Sequence, residues 1–180
     1  MASRKRVMRW IWILAGVVIG LPAAASLVGM LLPRDHVARM AIALKSPPER
    51  VWALVSDVGG TARWRSDIVT VDVVAGSGKT VRFVETTKQG RVTFEVESQV
   101  PPRRQVTRIV DEGEPFGGTW TWELEPEEGG TRLTLVEAGF IKSPLFRVMA
   151  KLFFKPSATI DAYLRALAKA LGETATPQES

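Results

Sequence analysis

The sequence contains no cysteine and no asparagine, a single histidine, His36, and a single tyrosine, Tyr163. Without cysteine there is no disulfide scaffold, no thiolate metal site and no thiol nucleophile. Without asparagine there is no N-glycosylation sequon, and the bias is that of a GC-rich bacterial coding sequence. One histidine cannot build a zinc or iron site from several imidazoles, so no metal is expected and no cofactor is implied. A Ser-His-Asp triad would have to use His36, and no Gly-x-Ser-x-Gly elbow is present to supply its serine.

Acidic residues are missing from the first part of the chain. Residues 1–34 carry Arg4, Lys5, Arg6, Arg9 and Arg34 and no Asp or Glu. The net charge of +5 and the pI near 9.9 originate there, and residues 35–180 are formally neutral. A nucleic-acid-binding domain needs a net basic face or stripe, so nucleic acid is not an expected partner. Charge is absent altogether from Trp10 to Pro33, "WIWILAGVVIGLPAAASLVGMLLP". A run of about 20 apolar residues spans a bilayer core. Gly16, Gly20, Pro22 and Gly29 are tolerated in membrane helices, and Trp10 and Trp12 stand where indoles favour the interface. A cleaved signal peptide ending at Ala23-Ala24-Ala25 would leave the apolar "LVGMLLP" at the start of the mature chain. An uncleaved signal anchor is therefore preferred. The basic flank places the N-terminus in the cytoplasm and the rest of the protein outside, on a single-pass topology.

"VDVVAGSGKTVRF", Val71 to Phe83, has the letters of a phosphate-binding loop. Such a loop requires Gly-x-x-x-x-Gly-Lys-Thr and must open a helix. Position 73 is valine where the first glycine should stand, and an alternating, strand-like stretch follows Thr80. The segment is expected to be a hairpin turn whose glycines supply positive φ, and a nucleotide is excluded as partner.

The remaining periodicities are those of an α+β domain. His36–Leu44 alternates as a strand. Ser46 is expected to cap a helix, with Pro47 in its first turn and Glu49 three residues after the cap. A short helix or turn carrying Trp64 comes next. Six strand-like stretches follow, separated by turn chemistry such as "KQG", "PPRR" and "PEEGG". In "RVTFEVESQV", Phe94 and Val96 share a face. In "GGTWTWELE", Trp120, Trp122 and Leu124 do, and in "TRLTLVEAG", Leu133, Leu135 and Glu137 do. Helical spacing returns in "SPLFRVMAKLFFKPSATIDAYLRALAKALG". Leu145, Met149, Leu152 and Phe153 lie on one side. After Pro156, a kink or break, Ile160, Leu164, Leu167 and Leu171 recur at helical spacing. Gly172 is the expected stop, and residues 173–180 are expected to be a disordered tail.

The order of strand, short helices, six strands and long C-terminal helix resembles the START-like SRPBCC superfamily, in particular its polyketide cyclase/dehydrase and lipid-transport branch. The resemblance rests on "SPPERVWALVSDVGGTARWRSDIVTVDV", "GGTWTWELEPEEGGTRLTLVEAG" and "TIDAYLRALAKALG" and covers roughly residues 36–172. It implies a helix-grip fold, an antiparallel sheet wrapped around the long C-terminal helix and enclosing an apolar cavity. The implied organisation is a basic cytoplasmic flank at 1–9, a transmembrane anchor at 10–33, an SRPBCC domain at 35–172 and a tail at 173–180. The implied function is binding of a hydrophobic small molecule or lipid in the cavity, at a membrane, without catalysis assumed. The alternatives are a cyclase/dehydrase-type enzyme using the same cavity, and an envelope interaction or stress module with a closed core.

The candidate ligand-binding residues are Trp64, Phe94, Val96, Trp120, Trp122, Leu133, Leu135, Tyr163 and Leu164, an apolar and aromatic lining. Were catalysis present, Glu137 is the candidate: a carboxylate on the Leu133–Leu135 face would be desolvated and its pKa raised. Arg108, on a face with Val106 and Val110, is its candidate partner. Arg147, Lys151 and Lys155 recur every fourth residue and could touch anionic headgroups or simply be solvated.

Overall fold

The computed structural model of the chain describes residues 2–75, 80–110, 113, 115–153 and 155–179. They fall into two compact units, one from residues 1–34 and 141–154, the other from 35–140 and 155–180.

The first unit holds two helices, α1 (Ala2–Leu31) and α3 (Pro144–Phe153). Within α1, Val7–Leu31 is long and apolar enough to cross a membrane. Trp10, Ile11, Trp12, Leu14, Val17, Val18, Ile19, Leu21, Leu27, Val28, Met30 and Leu31 are exposed, which suits lipid and not water. Pro22 lies inside this helix without ending it, and the Ser26 hydroxyl donates to the Pro22 carbonyl at 2.7 Å.

The second unit is one antiparallel sheet with helices. Its strands are β1 (Asp35–Leu44), β2 (Ile68–Ala75), β3 (Val81–Thr87), β4 (Arg91–Val100), β5 (Arg104–Ile109), β6 (Phe116–Glu127), β7 (Gly130–Ile141) and the short β8 (Gln178–Glu179). They lie in the order β2-β3-β4-β5-β6-β7-β1-β8, an uninterrupted meander from β2 to β7 closed by the first strand. The turn expected at 76–79 lies outside the described residues. Its two flanks pair, Ala75 opposite Val81.

Helix α4 (Pro156–Ala170) packs on one face of this sheet. The expected row Ile160, Leu164, Leu167 and Leu171 is buried against Met40, Ile42 and Leu44 of β1, Trp122 and Leu124 of β6, and Leu133 and Leu135 of β7. Val51 and Val55 of α2 (Pro48–Ser56) complete the core. The helical stretch is broken before Pro156, as the sequence allows: α3 ends at Phe153 and Pro156 opens α4. Gly172 stops α4 as expected. At φ +79° it lets its own N–H reach the Lys169 carbonyl (3.0 Å) and the Glu173 N–H reach that of Ala168 (2.9 Å), a Schellman arrangement.

Two local expectations are corrected. Ser46 does not cap α2, whose N-cap is Pro47 without a side-chain hydrogen bond. The Ser46 hydroxyl instead donates to Glu173 Oε1 at 2.6 Å, and the Ser46 and Lys45 N–H groups donate to the same carboxylate at 2.9 and 2.6 Å. Residues 173–179 are therefore not a loose tail. Glu173 ties the end of α4 to the β1–α2 turn, Ala175 packs on the core, and Gln178–Glu179 pair with Ala41 and Met40. The sequence signal was missed because the segment has no periodicity. It is held by backbone donors and one carboxylate.

Candidate functional site

The described part of the second unit encloses a cavity of about 70 Å³. It lies where the short 3-10 helix after α2 (Val58–Arg63), the face of β3 to β6 and α4 meet. Cross-strand register builds its sheet wall. Phe83 of β3 stands opposite Phe94 of β4, and their rings stack at 5.3 Å. On β5, Gln105 stands opposite Trp122 and Thr107 opposite Trp120 of β6, so these four side chains share one face. The helix contributes Tyr163. Its ring meets Trp64 edge-on at 5.3 Å, Trp120 at 6.0 Å and Trp122 at 5.8 Å.

A charged group lies in this aromatic wall. Arg65 is only 12% exposed and so is Glu85. The Arg65 guanidinium is 3.4 Å from both Glu85 oxygens, pairs with Asp67 at 2.5 Å and stands 5.4 Å over the Tyr163 ring. Burial pushes the Glu85 carboxyl above its ordinary pKa, and Arg65 only partly restores it. For Asp67, burial is outweighed by the Arg65 hydrogen bond, and its pKa is lowered. For Arg65, burial is outweighed by Asp67 and Glu85, and its pKa is raised, so it stays charged. Burial raises the Tyr163 phenol well above its usual value, making it a neutral hydrogen-bonding group.

Two polar groups of the lining have no protein partner. Thr107 Oγ1 and Trp122 Nε1 are both buried and unsatisfied; the indole N–H lies near the Tyr163 phenol without reaching hydrogen-bond geometry. Gln105, by contrast, is committed: it donates to the Val55 carbonyl at 3.4 Å and accepts from Gln99 at 2.7 Å. Leaving a buried polar group unpaired costs about 1–3 kcal/mol. Two such groups beside one cavity mark a place where a polar atom of another molecule would be welcome.

Of the sequence candidates, Phe94, Trp120, Trp122 and Tyr163 line this cavity. Trp64 backs it through the Tyr163 ring. Leu133, Leu135 and Leu164 do not line it; they are fully buried in the close-packed core where α4 meets β7. Val96 is buried on β4 and does not reach the cavity either.

The proposed Glu137–Arg108 partnership does not exist in the structure. Arg108 lies on the opposite face of β5 from Gln105 and Thr107 and pairs with Glu97 at 2.8 Å and Glu95 at 3.3 Å. Arg108 does share a face with Val106, but that face is not the cavity side: both faces of β5 bury residues, and Gln105 and Thr107 take the cavity side. Glu137 is a largely buried carboxylate with a raised pKa, burial being the main cause. Its neighbour is His36 at 3.7 Å, and it does not line the cavity.

Arg65, Phe83, Glu85, Gln105 and Thr107, with Val55, Val58 and Thr61, also line the cavity and are not among the sequence candidates. Glu85 follows Phe83 on one face of "TVRFVETT", and a charge on an apolar strand face was the available signal. Nothing in the sequence pairs it with Arg65.

This arrangement of sheet and helix agrees with the comparisons. Residues 35–172 match the family model described as polyketide cyclase / dehydrase and lipid transport. The chain belongs to that family. Among solved structures, TTHA0849 from Thermus thermophilus aligns with TM-score 0.60 at 22% identity, over 75% of this chain and 94% of that one. The di-domain ARO/CYC StfQ from the steffimycin biosynthetic pathway aligns with TM-score 0.61 at 12% identity over 77% of this chain. MLL2253 from Mesorhizobium loti aligns with TM-score 0.57 at 18% identity, over 77% and 97% of the two chains. At these identities the likeness is one of fold. The match spans about half of StfQ's own length, 52%. No curated protein matches this sequence.

Proposed function

We propose that this family member is a membrane-anchored binding domain for an apolar small molecule or lipid with one hydrogen-bonding end, with no catalysis assumed. The carrying observation is the cavity itself: aromatic rings on most sides, with Thr107 Oγ1 and Trp122 Nε1 unsatisfied on its wall. Phe83, Phe94, Trp120 and Tyr163 would pack on the apolar body. Thr107, Trp122 and the Arg65–Glu85 pair would meet the polar end. The α1 helix would anchor the domain as a single pass, with the basic flank in the cytoplasm and the domain outside.

The volume sets a condition. Sites for drug-sized ligands enclose about 300–1,000 Å³, and this cavity has about 70 Å³. A lipid would enter only if the wall yields, and Arg65, just after the 3-10 helix, is held in that wall by its ion pairs to Asp67 and Glu85. The same small volume favours the second reading, a closed-core interaction module. Native mass spectrometry of the detergent-extracted full chain, with solvent extraction of the adduct and uptake of a hydrophobic fluorescent probe, separates them. A reproducible apolar adduct and saturable uptake weakened by Trp120→Ala support binding. A bare chain with no uptake supports the closed core.

A further inference from the structure

Helix α3 carries an apolar face that its own unit leaves uncovered. Phe146, Met149, Leu152 and Phe153 lie within one side of the helix and are 54%, 45%, 68% and 70% exposed, and no residue of α3 is buried. An exposed stripe of this size in water calls for an occupant.

The packing of α3 on α1 says which. A Cβ on Gly29 would overlap the Pro144 carbonyl, so the absence of a side chain there lets the start of α3 lie directly on the last turn of α1. Arg147 locks the contact. Its guanidinium donates to the Ile141 and Lys142 carbonyls at 2.9 and 3.0 Å and reaches those of Gly29 and Leu32 at 3.4 and 3.5 Å. Carbonyls at the end of a helix have no partner within it, and Arg147 serves them. This residue is thus committed and not available to headgroups. The end of a spanning helix lies at the level of the lipid headgroups, and α3 is fixed to that end. Residues 141–153 contain Lys142, Arg147 and Lys151 and no acid, the composition of helices that lie in an anionic interface.

We infer that α3 is an interfacial membrane helix whose Phe146–Met149–Leu152–Phe153 face is sunk into the lipid surface where α1 leaves the bilayer. The inference rests on the reading of α1 as a membrane anchor. The cysteine-free sequence makes the test direct. Single cysteines at Phe146, Met149, Leu152 and Lys151, and at Val18 of α1, are spin-labelled in the full chain in phosphatidylcholine–phosphatidylglycerol bilayers. Collision with oxygen is compared with collision with a water-soluble nickel chelate. The oxygen-to-nickel ratio is expected to be several-fold higher at 146, 149 and 152 than at 151, and highest at 18. Free nickel access at 146, 149 and 152 with Val18 shielded overturns the inference and leaves the anchor standing. Free access at Val18 as well overturns both. Labels at 146, 149 and 152 shielded from both reagents overturn it in favour of a second copy of the chain covering this face.

Discussion

One sheet face and one helix build two different interiors. Where α4 crosses β7 and β1, the filling is aliphatic: Leu133, Leu135, Leu164 and Leu167 have no exposed surface at all. Where the same helix faces β3 to β6, the filling is aromatic and polar, and space remains. Aliphatic side chains interdigitate to crystal-like density. Rings with edge-on contacts, a buried ion pair and unsatisfied hydrogen-bonding groups do not close up in the same way. The proposed function sets recognition in the second half and stability in the first, and single substitutions can test whether the two halves are separable.

The largest effect is expected from removing one charge of the buried pair. Arg65→Met leaves Glu85 without its partner, and breaking a buried pair costs about 3–5 kcal/mol. The double variant Arg65→Met/Glu85→Leu should recover most of that loss in urea unfolding. A loss that the double variant does not recover would mean that Arg65 acts through packing alone. The sign with pH follows from the raised Glu85 pKa. The folded state holds this proton more tightly than the unfolded one, so this group's contribution falls as pH rises through the window above the ordinary carboxylate value. In Arg65→Met the fall should be steeper.

Leu164→Ala should cost about 2–5 kcal/mol by cavity formation and leave probe uptake per folded molecule unchanged. Reduced uptake at full folding would join the two halves. Thr107→Val should do the reverse. It removes an unsatisfied hydroxyl, so stability should hold or rise by up to about 1 kcal/mol, while the affinity for a ligand with a polar end drops.

Legibility followed the same division. The four-three-four spacing from Ile160 to Leu171 named the aliphatic half directly, because helical burial imposes that period. The Trp120–Trp122–Leu124 alternation named one wall of the other half. The cavity side of β5 is not legible, because a polar pair, Gln105 and Thr107, faces inward while Val106 is buried with Arg108 on the far side. Alternation rules assume that burial and apolarity coincide, and the cavity wall is where they part. The Arg65–Glu85 contact joins residues from separate elements, and no local pattern encodes it.

The smallest effect belongs to Glu173. Its carboxylate pKa is lowered: burial opposes this, and the Ser46 and Lys45 hydrogen bonds outweigh it. A depressed carboxylate contributes stability at pH above its ordinary value and loses it as pH falls through the lowered one. Glu173→Gln should therefore cost under about 1 kcal/mol near neutrality, the range for solvent-screened contacts, and nothing in acid. An equal loss at both pH values in thermal unfolding would show that the charge is irrelevant.

The two residues of β8 have a reach beyond their length. An open sheet has two margins, and each offers unpaired N–H and C=O groups to any passing strand. Here one margin is β2, with Val69, Val73 and Val74 exposed, and the other would be β1 were Gln178 and Glu179 not hydrogen-bonded along it. Glu173 and Ala175 hold that short strand in place. Residues 173–179 thus act as a selvedge over the β1 border at Met40 and Ala41, where a chain lacking them would offer bare backbone to its neighbours.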